Sequence, residues 1–238
     1  MNPPFRFVNI KHVLTAVVFV GVAASLPAHA ATEDRPGGLA ASPAPPVVSV
    51  PVWSNGLAGV GSVQVDPAKR AVIARGWVNQ VIGAIELLAC GPGGKAHESV
   101  FVLDVNPLDL QTAILLLGVK PGMAPTGLGA GQPKGTGCDL WVDWQENGRT
   151  RSERAERFVF NVENRKVLPK TPWIFTGSVI EDGEFRALTE QSLIATYWDP
   201  WAIINLPLTC GSNDEILVVN TNTVPPLKTP ITMRMQFR

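Results

Sequence analysis

The chain has 238 residues, 45% of them hydrophobic, with 20 basic and 20 acidic residues in formal balance. A domain of this size buries a full core without metals or many disulfides. Balanced charge leaves no electrostatic footprint for nucleic acid or an anionic membrane surface, and past the N-terminal segment no apolar run of about eighteen residues provides a span.

The chain opens on Arg6 and Lys11, continues with a mostly apolar run from Val13 to Leu26, and then reaches Ala28-His29-Ala30. Basic start, apolar centre and small residues at a peptidase site make the pattern of a secretory leader, with cleavage expected after Ala30. The apolar run is shorter than the roughly 20 residues of a spanning helix. No cysteine stands beside the cut, so no lipid anchor is expected. The expected location is the periplasm, with no transmembrane segment in the mature chain. Loss of Arg6 and Lys11 leaves the mature chain acidic by two charges. Residues 31–52, rich in Ala, Pro, Gly and Ser, are expected to form a flexible linker, and 53–238 a single domain.

Within that domain most signals are strand signals. Val60–Val65 and Ala71–Val78 are joined at the turn-like Asp66-Pro67-Ala68-Lys69. Ile85–Cys90 is a third apolar run, stopped by Gly91-Pro92-Gly93-Gly94. A helix is predicted next: Asn106 caps it, Pro107 fits its first position, Asp109 suits the dipole, and Leu108–Leu117 is apolar nearly all round before Gly118. Such a helix must be covered, most simply by the sheet. Pro121–Gly137, nine of seventeen residues Gly or Pro, is expected to be a long mobile surface loop. From Asp139 to Trp144, alternation puts Leu140, Val142 and Trp144 on one face and Asp139, Trp141 and Asp143 on the other. Asn147-Gly148 then marks a hairpin, and Glu181-Asp182-Gly183 another tip. Further strands are expected at Arg157–Val162, Trp173–Ile180, Ser192–Tyr197, Ile216–Asn220 and Thr232–Phe237.

Chemistry concentrates in Cys90–Ser99. His97 is the one histidine left after the leader, with Glu98, Ser99, Lys95 and Cys90 close by in sequence. Cys90 as nucleophile and His97 as base would make a thiol-dependent site; His97 and Glu98 with a distant Asp would hold a metal. Against both, adjacent residues on an extended segment point to opposite faces, and in an oxidising compartment Cys90 is open to disulfide formation. Cys90, Cys138 and Cys210 allow three pairings, of which Cys90–Cys210 is favoured here, and their wide spacing speaks against a cluster or zinc site. No phosphate-cradling glycine motif is present. Trp198-Asp199-Pro200-Trp201 suggests either an aromatic platform for a sugar or peptide ring or, in the favoured reading, a plug at the end of the core. Asp139/Asp143 and Glu181/Asp182 are considered as glycosidase pairs, but strand alternation places the first pair among solvated charges.

Trp77-Val78-Asn79, Glu86-Leu87-Leu88-Ala89-Cys90, Gly93–Ser99 and the Leu108–Gly118 helix resemble the YdjY-domain proteins of bacteria. Trp173–Ser178, Ser192–Thr196 and Asn220–Pro226 extend the likeness across most of residues 60–236. The resemblance implies an exported domain with no assigned reaction. A ferredoxin-like label carried by some members does not transfer, because the clustered cysteines are missing.

The expected fold is α+β: a β-rich single domain, mainly an antiparallel sheet packed on one apolar helix. The expected function is a non-catalytic periplasmic domain that binds a small ligand or an envelope partner, without cofactor or nucleic acid. The alternatives are a thiol-dependent hydrolase or transferase using Cys90 and His97, and a metal-binding protein centred on His97 and Glu98. Any ligand is expected at a concave site lined by Lys95, His97, Glu98 and Ser99 at the strand end.

Overall fold

The computed structural model describes residues 47–238; the expected leader and the linker up to Pro46 lie outside the described residues. β1 (Val52–Ser54), β2 (Leu57–Val60) and β3 (Val63–Asp66) meander into β4 (Ala71–Val78). The turn before β4 is closed by the Asp66 carboxylate, which accepts from the Lys69 N–H at 3.1 Å. β5 (Leu87–Cys90), β6 (Ser99–Leu103), the helix α1 (Pro107–Leu116), β7 (Gly137–Glu146) and β8 (Arg149–Arg154) follow. Then come β9 (Val159–Asn161), β10 (Lys166–Val167), β11 (Trp173–Phe175), β12 (Ile180–Glu181), β13 (Glu184–Phe185) and the short helix α2 (Arg186–Glu190). β14 (Ser192–Ala195), β15 (Ile204–Asn205), β16 (Leu217–Val219) and β17 (Pro230–Phe237) complete the chain.

Eight of these strands close on themselves. From β4 the pairing runs through β17, β7, β11, β15, β14, β5 and β6, and β6 returns to β4. The closing pair is Gly76 with Leu103, Trp77 with Val102 and Val78 with Phe101. Two neighbours, β14–β15 and β5–β6, are parallel and the rest of the ring is antiparallel. The domain is therefore a mainly β, closed mixed barrel, with two α-helices among the described residues. This corrects the expected α+β fold with an antiparallel sheet and one helix. Alternation inside β7 and β17 turns Leu140, Val142, Trp144, Met233, Met235 and Phe237 into the core, where they join Val72, Ala74 and Val78 of β4. An eight-stranded ring is narrow enough for side chains to fill it. β5, β6 and β14 are buried on both faces instead. Outside the wall, Leu87, Cys90, Val102 and Ala195 form a second small cluster with Ala202, Trp77 and Ala96.

The helix forms as its local signals require. The Asn106 side chain accepts from the Leu108 N–H at 2.8 Å, Pro107 opens the first turn, and Gly118 leaves at φ +72°. Its buried Leu110, Ala113 and Ile114 join the main core, and it packs on β2, β3 and α2. Asp109 in its first turn accepts from the Ser49 N–H and hydroxyl, each at 2.9 Å, which ties the end of the expected linker to the domain. Pro121–Gly137 is a surface segment as expected, but it is fastened. Met123 pairs with Lys134, Gly122 N–H donates to Phe175, and Gly129 N–H donates to Trp198. Of the later expected strands, Trp173–Ile180 is divided, with Trp173–Phe175 in β11 and Ile180 opening β12, and Arg157–Val162 begins as a 3-10 turn over Ala155–Phe158.

Candidate functional site

The loop from Gly91 to Glu98 crosses from β5 to β6 over the outer cluster, and Gly91 and Gly94 lie against Gln191, whose carbonyl accepts from the Gly91 N–H at 2.8 Å. Ala96–Glu98 is a single 3-10 turn. Lys95 Nζ lies 2.8 Å from Glu86 Oε2 and 3.9 Å from Glu98 Oε2, and His97 Nε2 lies 3.6 Å from Glu98 Oε1. Burial and the neighbouring Glu86 carboxylate raise the Glu98 pKa. Burial works against the Lys95 charge, but Glu86 outweighs it and the pKa is raised. Buried Asp199 completes the cluster electrostatically, its own pKa raised by burial.

This arrangement divides the residues expected to act together. Ser99 is fully buried and its hydroxyl donates to the Lys95 carbonyl at 2.7 Å, so it lines no concave site. His97 is at the surface, 77% exposed. Cys90 is sealed in the outer cluster, its thiol pKa pushed up by burial and its sulfur directed to the Phe101 carbonyl. A buried, protonated thiol and an exposed imidazole are not a nucleophile–base pair. The expected disulfide does not form either: Cys90, Cys138 and Cys210 are all free. Among the described residues no three His, Cys, Asp or Glu side chains assemble as a metal-ligand group.

Trp198 is the core plug of the favoured reading: it is buried and its indole N–H donates to the Leu206 carbonyl at 2.8 Å. Trp201 stays half-buried, with Arg186 5.0 Å from its ring centre and its N–H donating to Glu181 at 3.3 Å.

The most organised polar surface lies elsewhere, on the outer face of β17, β7 and β8. Register sets Trp141 directly between Arg234 of β17 and Arg154 of β8. The guanidinium carbons stand 5.8 and 5.5 Å from the Trp141 ring centre, a cation–π ladder across three strands. Both arginines are held. Arg154 donates to Glu156 at 2.7 and 3.1 Å, to Asp139 at 3.2 Å and to the Thr171 carbonyl at 3.0 Å. Arg234 grips both oxygens of Asp143 and donates to the Ser152 hydroxyl. Burial raises the Asp143 and Asp139 pKa values, but their arginines outweigh it and hold both carboxyls below the ordinary range. Asp139 and Asp143 are thus clasped structural carboxylates, not a glycosidase pair.

Two open grooves flank the ladder. One, of about 280 Å³, has Trp141 and Leu168 at its base and Arg154, Arg157, Glu153 and Lys170 around it. The other, of about 380 Å³, runs past Arg75, Asp143, Gln145, Thr150 and Thr232. Lys95, His97, Glu98 and Ser99 line neither. Strand alternation had placed Trp141, Asp139 and Asp143 on the outer face; what it lacked were the arginine partners, which arrive from other strands. No helix among the described residues is long and apolar enough to cross a membrane.

Comparison with curated proteins and with solved structures gives no match. The profile of the YdjY domain matches residues 63–236, from the start of β3 nearly to the end of β17 and so around the whole barrel. The chain belongs to the YdjY domain family.

Proposed function

We propose that this protein is an exported, non-catalytic periplasmic domain that binds an envelope partner through the outer face of β17, β7 and β8. The observation that carries the reading is the Arg154–Trp141–Arg234 ladder set between two open grooves. Tryptophan and arginine are the residue types that dominate binding hot spots. Here both arginines are held by carboxylates and Trp141 lies between them, so little conformational entropy is lost on contact. Export is supported by the leader pattern of residues 1–30.

The test is photo-crosslinking in the native cell, with a photoreactive residue at Lys170 on the groove rim or at His97 across the barrel. The reading predicts a discrete adduct from Lys170 and none from His97, with the recovered protein beginning at Ala31 in the periplasmic fraction. Adducts from His97 alone would transfer the binding role to the Lys95–Glu98 loop. Retention of the uncut chain in the cytoplasm would overturn export.

A further inference from the structure

Resting on that reading, we propose that the free edge of β8 docks an extended acidic segment of the partner, which adds to the sheet as one more strand. β8 is paired along its length on one side only, from Arg149 opposite Glu146 to Arg154 opposite Trp141. The connecting turn has two residues, Asn147 and Gly148, with φ of +51° and +73°, the conformation of a tight type I′ hairpin. In such a hairpin the closing pair, Glu146 and Arg149, exchanges both backbone hydrogen bonds, and the pattern then alternates. Arg149, Arg151 and Glu153 therefore bond to β7, while the N–H and C=O groups of Thr150 and Ser152 point away. Among the described residues no strand takes them.

The charge along this edge selects the occupant. Arg149, Arg151, Arg154 and Arg157 follow one another, and Lys170 lines the adjoining groove. Glu156 is 2% exposed and spent on Arg154, and Glu146 pairs with Arg151 at 2.8 Å. Glu153, 3.9 Å from Arg157, is the one remaining carboxylate on the rim. The surplus is positive, so a second copy of β8 is repelled while an acidic strand is attracted. Strand addition supplies affinity through the backbone and specificity through alternate side chains. One side chain of the added strand would reach the groove floored by Trp141 and Leu168.

The experiment is fluorescence anisotropy on the mature protein at low salt, using labelled peptides of alternating glutamate and valine or of alternating lysine and valine. The acidic peptide should bind saturably and the basic one should not. Ser152→Pro deletes one outward N–H without touching the β7 ladder and should weaken binding about tenfold, the loss of one hydrogen bond. Ser152→Ala, which also loses the hydroxyl that Arg234 contacts but keeps the backbone donor, is the reference, and Ser152→Pro should bind more weakly than it by about the tenfold of the lost N–H. The surface triple variant Arg149→Glu/Arg157→Glu/Lys170→Glu tests the charge independently and should abolish binding. No saturable binding of the acidic peptide, or unchanged binding by the triple variant, would overturn the proposal. Crosslinking from Lys170 that persists in Ser152→Pro would defeat strand addition yet leave the binding face standing; its absence from the wild type defeats both.

Discussion

Arg154 holds the molecule together from an edge strand. Its side chain is 12% exposed and lies against Glu156, which is 2% exposed and also accepts from the Thr171 N–H. Removing one member of a buried pair leaves an uncompensated charge, so Arg154→Met should cost about 3–5 kcal/mol in urea unfolding. The double variant Arg154→Met/Glu156→Met should recover a large part of that loss, because no orphan carboxylate remains. Asp199 works in the opposite sense. Burial raises its pKa, so between the ordinary value of 3.8 and the raised one the folded state binds more protons than the unfolded state. Its contribution therefore declines as pH rises through that interval. Asp199→Asn keeps the acceptor for the Trp201 N–H, and should flatten this decline and raise the thermal midpoint at pH 8 above wild type. Asp139, Trp141 and Asp143 were legible as one outward face because period-two alternation is local. Their partners were not: Arg234 lies 91 residues from Asp143, and nothing near either residue announces the pair. Cys90 and His97 misled for the reverse reason, since closeness in sequence placed one under the loop and the other on top of it.

At the scale of elements, α1 was legible nearly to the residue, since its cap, its first-turn proline and its terminal glycine all act locally. The tight hairpins at Asn147-Gly148 and Glu181-Asp182-Gly183 were legible for the same reason. β6 carried no distinguishing signal, because Ser99–Leu103 is buried on both faces and shows no alternation. The parallel pairs β5–β6 and β14–β15 were equally hidden; each needs a crossover whose return point no turn dipeptide marks. Gly76 shows what such pairing demands. A Cβ there would collide with the Val102 carbonyl oxygen and crowd Leu103 at the seam between β4 and β6. Gly76→Ala should therefore cost about 1–3 kcal/mol in denaturant unfolding, through overpacking against backbone. Gly93→Ala meets open space but a φ of +87°, so its loss should reflect backbone conformation alone, about 1–2 kcal/mol, with the seam intact.

For the whole molecule, closure decides everything downstream. Once β6 returns to β4, the ring has an inside filled with side chains, and the outward residues of β17, β7 and β8 become a face with a free edge. The sequence could announce strands but not closure, because β4 and β6 look the same in an open sheet as in a ring. Expecting a sheet covered by a helix followed from counting one obvious helix, whereas the ring buries its own inner face and α1 packs on β2, β3 and α2. The direct measurement is the pattern of nuclear Overhauser contacts from β4 in isotope-labelled protein. The account predicts that Gly76, Trp77 and Val78 show cross-strand contacts to Leu103, Val102 and Phe101 on one side and to Ile231 and Pro230 of β17 on the other, with slowly exchanging amides on both. Contacts from β4 to β17 alone, with rapid exchange along β6, would mean an open sheet and would contradict the account.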